Sequence, residues 1–335
     1  MKLTLIVPGL LALPAATLAA IPALNDLARH AGPPALARDG LLPALANAFG
    51  IAGDAPLAPL LAAGAGMEPD DDYVLVADPV TLVAGRDDVV LAGKVTDLDR
   101  DAAAALIGTL NRHFAGDAIA FVAPRPDAWF LRAERDLALV TTPTWAVLGQ
   151  PIFAHLPRGP EGKTWQRWQT EIQMLLFEND VNNARERRGL PPVSGVWLWG
   201  GGRLPALDVP DPVQVFAAEG IIGDLARGLA RQTGHAADGV PAACGAMLAG
   251  KTPESPNALV TLPEITSDYA LAQFAADWLA PAVAALARGG IDALDVIADG
   301  GGMAACWTAL RPSAFRRFAK WRRSQPFALP RAADA

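Results

Sequence analysis

The sequence predicts an α/β fold with a largely parallel central sheet flanked by helices. Three observations carry this. Strand-like apolar runs alternate with helix-like ones along most of the chain, which is the pattern of βαβ units. Apolar residues recur at helical spacing, as in Trp165, Trp168, Ile172 and Leu175. The chain has 335 residues, 52% hydrophobic and 19% charged, enough to bury a sizeable core and too apolar for a disordered protein.

The elements follow in order. Leu3–Val7 reads as a short buried strand that ends in Pro8-Gly9, and a helix follows over about Ile21–His30. Tyr73–Ala77 and Val89–Leu91 are short strands. Asp101–Phe114 is a helix with Asp97 or Asp99 as its candidate cap. Ile119–Val122, Trp129–Arg132 and Ala138–Val140 read as strands, and Thr164–Phe177 as an amphipathic helix. Strands Val193–Trp199 and Val213–Ala217, helix Ile221–Gln232, strand Ala258–Leu262, helix Ala270–Arg288 and strand Leu294–Ala298 complete the series. The middle part, 73–152, is richer in short strands and reads as a smaller α+β subdomain inserted into a main domain of 1–72 and 153–335. The loops Asp54–Asp72 and Thr252–Asn257, rich in Pro and acid, read as surface connections.

Charge and cysteine usage narrow the function classes. A net charge of -7 argues against a nucleic-acid partner, which needs a clustered basic face. Cys244 and Cys306 are too few for a disulfide framework and read as reduced core residues in a cytosolic protein. The first twenty residues have one lysine and an apolar run, but Pro8-Gly9 and Pro14 interrupt it, which favours strand, turn and helix over an export signal. No apolar stretch is expected to reach the roughly 20 residues of a spanning helix, so no membrane association is expected.

The most distinctive stretch is Val181–Pro205, VNNARERRGLPPVSGVWLWGGGRLP. A polar run holding Asn182, Asn183, Arg185, Arg187 and Arg188 is followed by a Gly189-Leu190-Pro191-Pro192 turn and the strand Val196-Trp197-Leu198-Trp199. That strand opens into Gly200-Gly201-Gly202-Arg203. Trp197 and Trp199 belong to one strand face, and three glycines after a strand permit close approach of a ligand or another chain segment.

This block resembles the Asn-x-x-Arg, Gly-x-x-Pro, Trp-Leu-Trp-Gly-x-Gly-x-x-Pro block of archaeal-type cofactor-independent phosphoglycerate mutases, at Asn182, Arg185, Gly189, Pro192, Trp197, Leu198, Trp199, Gly200, Gly202 and Pro205. Thinner likenesses to the same family run through Ile21–Ala28, Pro59–Leu82, Val215–Gly228 and Ile297–Gly300. The resemblance implies an alkaline-phosphatase-like fold. It also implies a two-metal phosphoryl-transfer site, and there the chain departs from the family. The first strand ends in Pro8-Gly9-Leu10-Leu11 where active members have metal-binding Asp residues. Thr17 is the only hydroxyl between that strand and Pro22. Asp299 is followed by Gly300 where the family has an Asp-His metal pair. Only Asp299 and Asp268 remain as remnants, too few ligands to stabilise a transferred phosphoryl group.

The chain is also similar to the RpfE-type bacterial regulatory proteins, in Ala77-Asp78-Pro79-Val80, His155-Leu156-Pro157, Glu171–Leu175, the Val181–Pro205 block and the basic end Phe318–Arg323. Thr81 and Gly85 depart from that family's pattern.

The expected function is therefore a non-catalytic or regulatory protein on a degenerate mutase scaffold, with no catalytic residue, metal or cofactor, binding a small anionic metabolite. A mutase-like or phosphatase-like enzyme with a rearranged site is the alternative. The ligand is expected at Asn182, Arg185, Trp199, Gly200, Gly202, Arg203 and His155. Each has a structural reading beside the functional one. Arg185 is a solvated helix-end residue or an anion clamp, His155 a turn residue or a pocket histidine. Asn182 and Arg185 either meet a ligand or pin their helix to the tryptophan strand. The segment Arg316–Arg323 is basic with interleaved aromatics, either a solvated helix or an anionic-surface binder.

Overall fold

In the computed structural model the chain divides into two compact units, Met1–Asp54 with Leu207–Ala335, and Ala55–Ala206. The residues described are 1–37, 40–51, 55–68, 70–86, 88–205, 207, 213–250, 257–300, 302–311 and 327. Among them are twelve strands: β1 Lys2–Val7, β2 Ala35–Ala37, β3 Tyr73–Ala84, β4 Val89–Lys94, β5 Ile119–Arg125, β6 Ala128–Ala133, β7 Gly195–Gly202, β8 Val213–Ala217, β9 Ala237–Asp238, β10 Asn257–Thr261, β11 Ala293–Gly300 and β12 Met303–Leu310.

The first unit is an α/β layer structure around one mixed sheet of order β2-β12-β11-β1-β10-β8-β9. β1 lies parallel to both β10 and β11, and β10–β8 and β8–β9 are also parallel. Only β12 and β2 run antiparallel to their neighbours. The expected parallel sheet flanked by helices is thus present. Alternation along the strands sends Leu3, Leu5, Val7, Val260, Val296 and Trp307 into one apolar core. There they meet Leu24 and Leu27 of helix Pro22–His30 and Leu271, Trp278, Leu279 and Leu286 of the helix after Ser267. Helices Leu41–Ala48 and Ile221–Gln232 also pack on the sheet, with Leu225, Ala226, Leu229 and Ala230 buried.

The stretch Asp268–Arg288 is a continuous 21-residue helix with one π-turn over Ala275–Leu279. Contrary to expectation, it is long and apolar enough to cross a membrane by length and composition. Leu271, Phe274, Trp278, Leu279, Val283 and Leu286 nonetheless pack in the core just described while Tyr269 is exposed, which is how an amphipathic core helix reads.

The second unit is built on an antiparallel sheet of order β4-β3-β6-β5, with β7 also paired to β3. Helices Arg100–His113 and Gly162–Phe177 bring Leu106, Leu110, Trp165, Trp168 and Ile172 into a core with Phe121, Trp129, Val196 and Leu198. Asp99 caps the first of these helices, its carboxylate accepting from Ala102 N at 2.8 Å. Asn111 on that helix meets the outer strand β5: its amide donates to Phe121 O at 2.8 Å and accepts from Phe121 N at 2.7 Å. The side chain so occupies backbone groups at a sheet edge.

Several sequence expectations change here. The compact unit is wider than 73–152, because helix Gly162–Phe177 and β7 share its core. The tryptophan strand lies in this antiparallel sheet and not in the parallel one. The stretch read as a surface loop at Asp54–Asp72 contains helix Ala58–Gly64, whose residues from Ala58 to Ala63 are all buried. Ala138–Val140 is not a strand: Ala138 has a φ of 45°, and a single bridge joins Val140 to Arg158. Most of the Thr252–Asn257 loop and the basic segment Arg316–Arg323 lie outside the described residues.

Candidate functional site

Two places carry the residues singled out by sequence, one in each unit. In the second unit, β7 turns Trp197 and Trp199 to one face and Val196 and Leu198 to the other, and all four are buried. Trp197 Nε1 donates to Thr142 O at 2.8 Å. Trp199 Nε1 donates to Asp78 Oδ2 at 2.7 Å, and the Thr144 hydroxyl donates to the same oxygen. Asp78 is 2% exposed. Its other oxygen faces Lys94 Nζ at 2.6 Å as an ion pair and takes no further hydrogen bond. Trp145 packs edge-on against Trp199 with ring centroids 4.9 Å apart. A buried carboxylate survives only where charge and donors meet it, and here one ammonium, one hydroxyl and one indole do so.

Helix Asp180–Arg187 carries Asn182 and Arg185 on its buried face. The Asn182 amide donates to Leu176 O at 2.7 Å and Val193 O at 2.8 Å and accepts from Val193 N at 2.8 Å. Arg185 donates through Nε to Pro191 O at 2.9 Å and through Nη2 to Asp97 Oδ1 at 2.6 Å. Asp97, a candidate helix cap by sequence, is thus an ion-pair partner. Asn182 and the Nε of Arg185 tie the helix to the segment that leads into β7, while Arg185 Nη2 is held by Asp97. The pinning role is what the geometry supports for them.

The glycines answer to chain packing. Gly200, at φ +70°, sits where the register of β7 on β3 shifts, a bulge position suited to glycine. A Cβ on Gly202 would stand 2.3 Å from Pro56 Cβ, and one on Gly201 2.8 Å from Tyr73 Oη. The three residues therefore continue the strand past a bulge and form no closed turn. Arg203 follows, exposed. His155 ends the short helix Ile152–His155, half-buried, with no hydrogen bond to Arg185 or Trp199.

The second place is the carboxyl end of the parallel sheet, where α/β folds bind ligands. β1 exits into Pro8-Gly9 and a 3₁₀ turn, Leu10–Ala12. Gly9 N donates to Asp299 Oδ1 at 2.8 Å. A Cβ on Gly9 would lie 3.0 Å from Glu264 Cγ, so two carboxylates flank this glycine. Burial pushes the Asp299 carboxyl above its usual range; the Gly9 N–H opposes this and Glu264 adds to it. Gly300 packs against the 3₁₀ turn: a Cβ there would stand 2.2 Å from the Leu11 carbonyl carbon and 2.3 Å from Ala12 N. Thr17 lies in helix Ala15–Ala19, and Asp268 opens its helix behind the cap Ser267.

The mutase resemblance implies two metal ions at such an end. The residues do not fit them. Among the described residues no group of three or more His, Cys, Asp or Glu side chains is placed to hold a metal ion. Position 300, where the family has histidine, has backbone where a side chain would go.

Sequence reasoning missed Asp78 as the centre of a buried network, and Glu264 beside Asp299. The signal for Asp78 was a lone carboxylate inside the apolar run Tyr73–Val83. Glu264, an exposed residue following Pro263, gave none.

No protein-family model matches the chain. It is similar to the 2,3-bisphosphoglycerate-independent phosphoglycerate mutase of Methanothrix thermoacetophila, 31% identical over 169 residues that cover 50% of this chain and 41% of that enzyme. The enzyme of the same name from Methanosarcina mazei is 28% identical over 151 residues, 44% of this chain and 37% of the relative. The matched stretch is thus less than half the length of either relative. Among solved structures, the PH0037 protein of Pyrococcus horikoshii aligns with TM-score 0.52 and 14% identity over 92% of this chain and 87% of that one, a likeness of fold. A cofactor-independent phosphoglycerate mutase from Thermoplasma acidophilum aligns at TM-score 0.45 and 18% identity, covering 93% and 90%. The chain is related to the cofactor-independent phosphoglycerate mutase scaffold.

Proposed function

We propose that the chain is a non-catalytic binding or regulatory protein on this mutase-like scaffold. The observation that carries the reading is the contact of Gly300 with the backbone of Leu11 and Ala12, which fills the place a metal-binding side chain would need. Pro8-Gly9 supplies no carboxylate at the end of β1, and Asp299 is engaged by Gly9 N. Without bound metal or an activated nucleophile, little remains to stabilise a phosphoryl transition state. The sequence likeness to the RpfE-type regulatory proteins agrees with this reading, and a cytosolic setting, part of the same proposal, suits two free cysteines. For an anionic metabolite, the exposed cations of this block are Arg187 and Arg188 at the end of their helix and Arg203 beyond β7.

A rearranged enzyme is the second reading, and Asp299 favours it. A carboxyl group held above its usual range at the end of a parallel sheet is a general-acid candidate.

Titration of the purified chain with Mn²⁺ tests the first reading. It expects no stoichiometric binding in the micromolar range. Two tightly bound ions per chain would overturn it.

A further inference from the structure

We propose that a cleft in the first unit, beside Glu264 and Asp277, binds an organic ammonium ion carrying an apolar group. The cleft has a volume of about 350 Å³, within the range of small-ligand pockets. Leu262 and Ile265, where the chain leaves β10, line it together with Phe274 and Trp278 of the long helix. Val240, Pro241 and Ala242 line it as well.

Three features define the occupant. The first is size and apolarity: Phe274 and Trp278 are each only 6% exposed, so they form a packed wall for a compact apolar group. The second is charge. Glu264 and Asp277 both line the cleft, and among the described residues no Lys, Arg or His does. Neither carboxylate has a hydrogen-bond or ion-pair partner among the described residues, whereas Asp26, Asp224, Asp292 and Asp295 of the same unit are all in ion pairs. An ammonium beside them is favoured over an anion, and an aromatic ring near it adds cation–π attraction. Asp299 accepts from Gly9 N while Glu264 approaches the same glycine, so a third carboxylate stands at this sheet end.

The third feature is local backbone. The π-turn Ala275–Leu279 contains both Asp277 and Trp278. The extra residue in such a turn shifts side chains around the helix, and π-turns frequently mark functional positions. Here it puts an exposed acid and a buried indole of adjacent residues along one cleft. The proposal is independent of the mutase-scaffold reading, since it concerns a different ligand and different residues.

The test is calorimetric titration of the full chain at low ionic strength with phenethylammonium, 2-phenylethanol and 3-phenylpropanoate. Phenethylammonium is expected to bind at one saturable site, with the alcohol and the carboxylate at least about tenfold weaker. The double variant Glu264→Gln/Asp277→Asn should keep the parent's melting temperature, since both positions are exposed, and lose about tenfold in affinity for the cation. Ala270→Trp, which fills the cleft from its helix wall, should abolish binding. Absence of saturable binding, equal affinity for the three probes, or unchanged affinity in either variant would overturn the proposal.

Discussion

Trp199 donates its indole N–H to the buried carboxylate of Asp78 at 2.7 Å, across 121 positions of sequence. The bond joins β7 to β3 through side chains as well as through the backbone ladder, and it gives the indole at position 199 a specific partner. Phenylalanine would fill much of the space but leave one oxygen of a buried carboxylate a donor short.

Replacing Trp199 by alanine should cost about 3–5 kcal/mol, the range for deleting a large buried ring. Asp78→Ala should cost a similar amount, because it strands Lys94 and removes the acceptor for Trp199 and Thr144. The double variant should cost clearly less than the sum. Chemical denaturation measures all three, and additive losses would show that the two residues do not act as a unit.

Arg185→Ala should destabilise the protein, since it releases Pro191 O and Asp97 together. Addition of phosphate or 3-phosphoglycerate to the parent should not shift its melting temperature through this residue. An anion-dependent shift that the variant loses while staying folded would make Arg185 a ligand contact.

Asp299 gives a pH signature with a definite sign. Its folded-state carboxyl is raised, so the folded chain binds the proton more readily than the unfolded chain. The charged form therefore costs stability at neutral pH, and that cost is relieved as pH falls through the raised value toward the ordinary aspartate value. Asp299→Asn, which can keep the Gly9 bond, should raise the melting temperature at pH 7 and have less effect at the acid end of that window. A lower melting temperature at pH 7 would contradict this.

Burial pushes the Cys244 thiol up to about 11. At pH 8 the folded protein should therefore react with a thiol reagent at Cys244 far more slowly than the unfolded chain does. Equal rates at that position, resolved by peptide mapping, would contradict its burial.

Elements with a local signature were legible in the sequence. Helix Arg100–His113 shows its period and its Asp99 cap, and β1, β10 and β11 show as apolar runs between turn residues. What local patterns do not encode is the partner. β7 reads as a strand, but its pairing with β3 depends on residues more than a hundred positions away. Helix Ala58–Gly64 is hidden because Pro, Gly and acidic neighbours carry the loop signal on both sides of a short apolar run. The Val181–Pro205 block was legible as unusual, but its polar residues divide: Asn182 and Arg185 meet Val193 and Pro191 before β7 begins, and Arg203 follows the other end of that strand. Their role was not legible, because a side chain that ties down backbone and one that holds an anion have the same composition. The departure at Asp299-Gly300 was legible only against a family pattern, and the packing of Leu10–Ala12 on Gly300 supplies its physical content.

The most direct test of the central claim is a coupled phosphoglycerate mutase assay on the purified chain with Mn²⁺ added. No turnover above background is expected. Turnover at an ordinary enzyme rate, on the order of 1–1000 per second, would contradict it.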